Sequence, residues 1–511
     1  MKKLFLILCF VLLAAIANGA VSKSVNVTTV GTLNTLLTST EKATVTDLTV
    51  TGTIDARDFK FMRDNMTMLT NLNISSINIT SYSGDAGPSY SSSFPANQIS
   101  EYAFYEKTSL KTIKLPASIT SIGQFAFYQS GLTGSLTLPG NLKSIGYLAF
   151  YECPGLTGTI IIPKSVNQID AVPFGLCSGI TAFIVEDGNN YFTATNGVLF
   201  NKNQTLLILY PCGKTGNYEI PGTVNIIGKN SFAWCAGLTG SLIIPNSVTR
   251  IEDLAFNYCT GLSGILSIPN SVTYIGSYAF QYCEGLIGKI TIPGSVTNLE
   301  DYSFSGCKSF TGDLIIPESV STVGWYTFYD CPGLDGKVQF SETVTTIPYT
   351  VCDQCPSIKE VILPKCTKYI SGMSFSGCIG LQKIKSANPL PPSIKSSSFE
   401  QVNKSTCQLI VPIGARTAYQ AAPYWSEFTN ITEQDLSAGI TTTKTDICKV
   451  YSSNGQNIIE NATNESIEVF TLSGVLVKTI NNREIIKTIN LPKGTYIVKV
   501  GNNYQKVECV K

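Results

Sequence analysis

A repeat solenoid, mainly β with irregular coil and a parallel sheet, followed by a small all-β sandwich, is the fold this sequence predicts. Three observations carry that reading. A short apolar strand ending in proline recurs at steps of 23 or 24 residues, as at Leu138-Pro139, Ile162-Pro163, Ile244-Pro245, Ile268-Pro269, Ile292-Pro293 and Ile316-Pro317. A phenylalanine, often preceded by alanine, keeps step at Phe104, Phe127, Phe150, Phe174, Phe232, Phe256, Phe280, Phe304, Phe328, Phe375 and Phe399. One step in that series is 58, which is 24 plus an insertion of 34, and another passes over Cys352, which fills the phenylalanine position. Cysteine occupies a third register position nine times, at Cys153, Cys177, Cys235, Cys259, Cys283, Cys307, Cys331, Cys355 and Cys378. A period of about 20–29 residues with one short strand per unit marks a leucine-rich-repeat solenoid.

The chemistry of one unit explains the stacking. In Ser241-Leu242-Ile243-Ile244 alternate side chains face opposite sides of the strand. Leu242 and Ile244 point into the coil with Val248, Ile251 and Phe256, and a single coil cannot bury them. Stacked coils bury them together. Proline ends each strand because it lacks the N–H that further pairing needs. Cysteine is small, apolar and commonly buried, and its weak S–H donor suits a turn carbonyl. The nine cysteines therefore read as an inward column of free thiols. The alternative is bridging between neighbouring coils, which the spacing of stacked strands places within disulfide reach.

The segments follow in order. Residues 1–20 read as a secretory signal peptide, with Lys2 and Lys3 before the apolar run Leu4 to Ile16 and small residues at the cleavage region. No later run is apolar enough to span a membrane. Residues 21–99 form an N-terminal cap and loop, with a short helix near Asp55 to Met66 and a Ser/Gly/Pro-rich loop from Tyr82 to Pro95. The solenoid runs over 100–411, interrupted near 183–216 by an insertion whose polar tip, Asn201 to Thr205, signals a hairpin. Residues 412–433 form a C-terminal cap in which Tyr419, Trp425 and Phe428 seal the last coil. A polar linker at 434–449 precedes alternating strands over 450–511, a small β-sandwich.

The pattern IPNSVTYIGSYAFQYCEGLIG, Ile268 to Gly288, closely resembles the BspA-like, or Treponema pallidum-type, leucine-rich repeats. Phe470 to Val477, Lys493 to Tyr496 and the terminal Lys506 to Lys511 resemble the C-terminal sorting domain of the Bacteroidetes type IX secretion system. These resemblances imply a protein secreted by, or held on the cell surface of, a bacterium of that group. They also imply adhesion through host or bacterial surface proteins.

Composition narrows the chemistry. The chain carries 36 Lys and Arg against 35 Asp and Glu, a net charge of +1, so bulk charge does not point to nucleic acid. It contains no histidine, which removes His triads, His metal ligands and His proton shuttles. Cys352-Asp353-Gln354-Cys355 is a C-x-x-C whose second cysteine belongs to the column, so packing explains it better than redox or zinc chemistry. Asp187, Asn189 and Asn190 lack the remainder of a calcium loop. Glu252-Asp253 and Glu300-Asp301 sit at equivalent coil positions and read as a solvated face. No phosphate loop or hydrolase elbow occurs. No catalytic residue, metal ligand or cofactor site is expected.

What remains is a surface. The outward rows of the strands carry Ile161, Ile243, Ile265, Lys289, Ile315, Lys337, Glu360 and Ile362, a candidate protein-binding face. Tyr278, Tyr302 and Tyr326 repeat at 24 residues and form a candidate aromatic platform for glycan. Two expectations stand against these: ordinary strand propensity for the isoleucines, and packing beside the phenylalanine column for the tyrosines.

Overall fold

The computed structural model describes residues 19–436 and, further on, the strands between 448 and 509. Residues 1–18 of the expected signal peptide and 437–447 of the expected linker lie outside the described residues. The chain divides into two units at Leu436/Ser437.

The larger unit is a stack of coils joined by parallel β-pairing. Each coil contributes to three backbone ladders. The first is the proline-ended strand: Leu314–Ile315, Lys337–Gln339, Glu360–Leu363, Lys383–Ser386, Gln408–Pro412 and Ile431–Gln434 pair in that order, all parallel. The second is a two-residue strand, as in Arg250–Ile251, Tyr274–Ile275, Asn298–Leu299 and Thr322–Val323, which pair one to one. The third is the turn around each phenylalanine. There Tyr278, Phe280 and Tyr282 donate their N–H groups to the carbonyls of Asp301, Ser303 and Ser305 in the next coil, at 2.8–2.9 Å. Two residues of that turn adopt left-handed backbone, as at Tyr278 (φ 58°) and Tyr282 (φ 55°). The conformation costs roughly 1 kcal/mol per non-glycine residue, and the coil-to-coil hydrogen bonds offset it.

Two columns fill the core. The phenylalanine rings stack face to face, with Phe280 and Phe304 at 5.3 Å and 3°. Phe59 of the helix Ala56–Asn65 closes the column edge-on against Phe104 at 5.9 Å, and Phe399 ends it against Trp425 and Phe428. At the insertion the earlier run ends with Phe174 against Phe183 at 5.8 Å, and beyond it Tyr210 takes the phenylalanine position and packs 5.1 Å from Phe232. The thirteen cysteines from Cys153 to Cys407 are free thiols. Cys259, Cys283, Cys307 and Cys355 each donate to the phenylalanine carbonyl of the preceding coil, over 2.9–3.2 Å. Cys212 lies 3.3 Å from Cys235, adding a thiol at the insertion.

The parallel stack begins earlier than the repeat motif. Ser22–Val27, Asp47–Ile54 and Asn71–Ile79 pair in parallel and lead into Thr112–Lys114. A helix replaces the phenylalanine turn in this region, so the periodic residues are absent although the sheet is continuous. Asp58 fixes that helix by accepting the N–H groups of Gly31, Leu33 and Asp55. The Tyr82 to Pro95 segment contains a small hairpin, Tyr82–Ser83 against Ser93–Phe94.

Lys107 shows how the stack is fastened to this first section. It stands 23 residues before Ser130 and 46 before Cys153, in the thiol column. Its neighbour is the C-terminal end of the helix, whose carbonyls need donors. Lys107 is buried and donates to the Arg63 and Met66 carbonyls at 2.9 and 2.6 Å. Burial pulls its amine down to about 8. Lys107→Met keeps the bulk and removes the donor, and is expected to cost about 2–3 kcal/mol by stranding buried carbonyls. Chemical denaturation followed by far-UV circular dichroism measures it; an unchanged midpoint would show the contacts to be incidental.

The smaller unit contains two antiparallel sheets. One joins Cys448–Ser453, Gln456–Asn461 and Ile486–Ile489; the other joins Leu476–Ile480, Ile467–Thr471, Gly494–Val500 and Asn503–Cys509.

Candidate functional site

The outward side of the proline-ended strands is the candidate surface. Its apolar part gathers on three neighbouring strands. Ile265 on Leu262–Ser267 stands directly opposite Ile287 on Leu286–Ile287. Ile243 lies one strand earlier, on Gly240–Ile243, beyond a register shift. The three are 57, 65 and 50 % exposed, in the order 243, 265, 287. A second pair, Ile161 and Ile184, are register partners, each about half exposed. These side chains are large, apolar, held on strands and exposed among the described residues.

The other expected residues lie on the same side but differ in character. Lys289 is exposed, whereas Ile315, Lys337, Glu360 and Ile362 are half-buried. Glu360 is engaged by Lys385 at 2.8 Å, and the Lys337 N–H donates to Asp313 at 3.0 Å. Gln339, on an expected outward row, is buried, in a repeat where Ser341 replaces the proline. The exposed apolar character is thus concentrated between Ile161 and Ile287. Ile184 and Ile287 escaped the sequence reading. Ile184 is in phase with Ile161 at 23 residues, a signal that was there to use. Ile287 follows Ile265 at 22, because the irregular register moves the strip diagonally across the strands.

The tyrosines occupy the phenylalanine-turn side of the coil, so the structure does not join them to the isoleucines. Tyr278, Tyr302 and Tyr326 are half-buried and stack face to face, at 4.6 Å and 8°, then 4.4 Å and 5°. Their faces cover one another and leave edges outward, which is not the geometry on which a sugar ring lies flat. Burial raises the phenol of Tyr302 to about 12.

The aspartate of each acidic pair binds backbone. Asp253 accepts the N–H of Ser277 at 3.0 Å, and Asp301 accepts that of Trp325 at 2.7 Å. Asn189 is buried and bonds the carbonyls of Pro163 and Val166 and the N–H groups of Tyr191 and Phe192. Among the described residues no cluster of His, Cys, Asp or Glu is arranged to hold a metal, and no helix is long and apolar enough to cross a membrane.

Comparison with known proteins gives the chain a family. The model of the BspA type leucine-rich-repeat region matches residues 91–206, 225–359, 311–418 and 345–475. Similar solved structures include a leucine-rich repeat protein from Bacteroides ovatus, with 22 % identity, 72 % of this chain and 84 % of that chain covered, and a TM-score of 0.42. The pneumococcal vaccine antigen PcpA shows 19 % identity over 76 % of this chain and 78 % of its own, with a TM-score of 0.40. The leucine-rich repeat protein of T. pallidum shows 28 % identity over 36 % of this chain and 86 % of its own, with a TM-score of 0.32. No curated protein matches the chain. With the family model matching well over half the chain, on the repeats that build the coils, the protein belongs to the BspA-type leucine-rich-repeat family.

Proposed function

We propose that this is a non-catalytic, exported recognition protein that binds other proteins through the outward strand face. The observation that carries the proposal is the diagonal strip Ile243, Ile265 and Ile287, three half-exposed or more exposed isoleucines on adjacent strands. Isolated exposed isoleucines need no explanation, but contiguous ones on a rigid sheet are what a protein partner buries. The leader-like N-terminus and the sorting-like character of the C-terminal strands support delivery to the cell surface. Adhesion to host or bacterial surface proteins is the role this arrangement suits.

The test is binding of the chain from Val21 onward to an array of matrix and cell-surface proteins, with Ile243→Glu/Ile265→Glu alongside. Both positions are exposed, so folding is expected to change by no more than about 0.5 kcal/mol per site. Saturable binding weakened at least about tenfold in the double variant is the expected result, corresponding to loss of one or two buried anchors. Equal binding by both proteins would remove the function from this face.

A further inference from the structure

We propose that the groove over the first coils, on the two-residue-strand side and away from the isoleucine strip, is a binding site for a neutral oligosaccharide. The groove is a cavity of about 360 Å³ between the Tyr82–Ser83/Ser93–Phe94 hairpin and the four coils that carry Gln98, Ser121, Ser144 and Gln168. Its long side is a ladder of polar residues, one per coil: Gln98, Ser121, Ser144 and Gln168 are successive register partners in parallel strands. Such rungs lie about 4.8 Å apart, close to the advance per ring of an extended pyranose chain. A linear glycan laid along the stack therefore meets an equivalent hydrogen-bonding group at each ring.

The polar groups are fixed before any ligand arrives. Ser144 donates to Ser121 at 2.8 Å, and the Gln98 amide donates to Ser121 at 3.3 Å. The Gln124 amide donates to Glu101 at 2.8 Å, while the other Glu101 oxygen takes the Ser89 hydroxyl. The Gln168 amide donates to Asp170 at 2.9 Å. An amide has two donor hydrogens and a two-lone-pair acceptor, so the three glutamine amides keep hydrogen-bonding capacity for a ligand. Oriented amides and carboxylates side by side match the alternating donors and acceptors of vicinal hydroxyls, and holding them in place lowers the entropy lost on binding.

Two further features select the ligand class. No lysine or arginine lines the groove, whereas Glu101 and Asp170 do. Phosphorylated, sulfated or nucleic-acid ligands are therefore disfavoured. The lining is dominated by Ser, Gln, Asp and Glu, which does not offer the apolar pockets a protein partner needs. Tyr147, the chain neighbour of the lining residue Gly146, is 41 % exposed and meets Phe125 perpendicularly, at 5.5 Å and 89°. Unlike the Tyr278–Tyr302–Tyr326 stack, it is not paired face to face with another ring among the described residues, and it suits the apolar face of a sugar.

The test uses the full chain and three neutral hexaoses, of the cello-, malto- and xylo- series, with a heparin-derived hexasaccharide as the charged counterpart, by isothermal titration calorimetry. Binding of at least one neutral hexaose is expected, and its shorter homologues of two, three and four rings should bind with rising affinity up to about four rings, as the four rungs require. Gln124→Ala and Tyr147→Ala, both exposed and remote from the core columns, are each expected to weaken it about tenfold. Ile243→Glu/Ile265→Glu should leave it unchanged. No binding by any neutral hexaose at millimolar concentration would overturn the proposal. So would a preference for the sulfated hexasaccharide, or neutral binding that both groove variants retain.

Discussion

Phe280→Ala is expected to destabilise the solenoid by about 3–5 kcal/mol and to divide its unfolding into two steps. The size follows from deleting a fully buried ring. The division follows from the geometry of the stack. Phe280 lies between Phe256 and Phe304, with ring centroids at 5.3 Å on either side. In a repeat array stability is approximately the sum of coil terms and nearest-neighbour interfaces. Removing one ring weakens one coil and both its interfaces, so the sections on either side lose the coupling that makes them melt together. Differential scanning calorimetry should show one transition in the parent and two in the variant. Phe280→Leu, which refills much of the space, should restore most of the cooperativity. A single transition in Phe280→Ala, shifted or not, would mean the coils are coupled through some other element.

The second large effect is loss of stability in alkali. Cys259, Cys283 and Cys307 are fully buried, and desolvation pushes each thiol up, Cys283 to about 12. In the unfolded chain these thiols ionise near 9. Between those values the folded state keeps protons that the unfolded state has released. Stability is therefore fully present below about pH 9 and falls as pH rises toward the folded-state values, by about 1.4 kcal/mol per pH unit for each such thiol. Three thiols alone give about 4 kcal/mol per unit. Urea midpoints at pH 8, 9 and 10 should fall steeply over the last interval, and Cys283→Ala should reduce the slope by about one proton. At pH 8 the same thiols should ignore an aromatic disulfide reagent until urea is added, because thiolate and access are both lacking. Prompt labelling of Cys283 in the native protein would contradict the packing described.

The fold was legible because its signals repeat. Proline, phenylalanine and cysteine each return at one interval, and a stacked parallel coil satisfies all three at once. Legibility failed where the same positions hold other residues for local reasons. Lys107 and Ser130 lie in the cysteine column, and stepping back by 23 from Cys153 finds them. Only the helix carbonyls beneath Lys107 explain why a charge is buried there. Tyr210 and Cys212 fill core positions inside the insertion, but the intervening hairpin hides their phase. The surface was less legible still. The strands predicted which residues face out, yet the register shift beside Ile243 decides which of them meet. The groove beside Glu101 depends on a hairpin of the N-terminal section folding against coils that begin later in the chain.

The uniform bonding between coils bears on how such a gene changes. From Ile226 to Thr322 each two-residue strand pairs with the next at a constant interval, and the turns repeat the same donors and acceptors. A recombination event that adds or drops one whole repeat in this stretch rejoins surfaces that already fit. The ends are not exchangeable, since Lys107 answers to one helix and Trp425 closes one particular coil. Length in this lineage is therefore free to vary from the middle outward, and with it the number of strands on the exposed face, while both termini stay fixed.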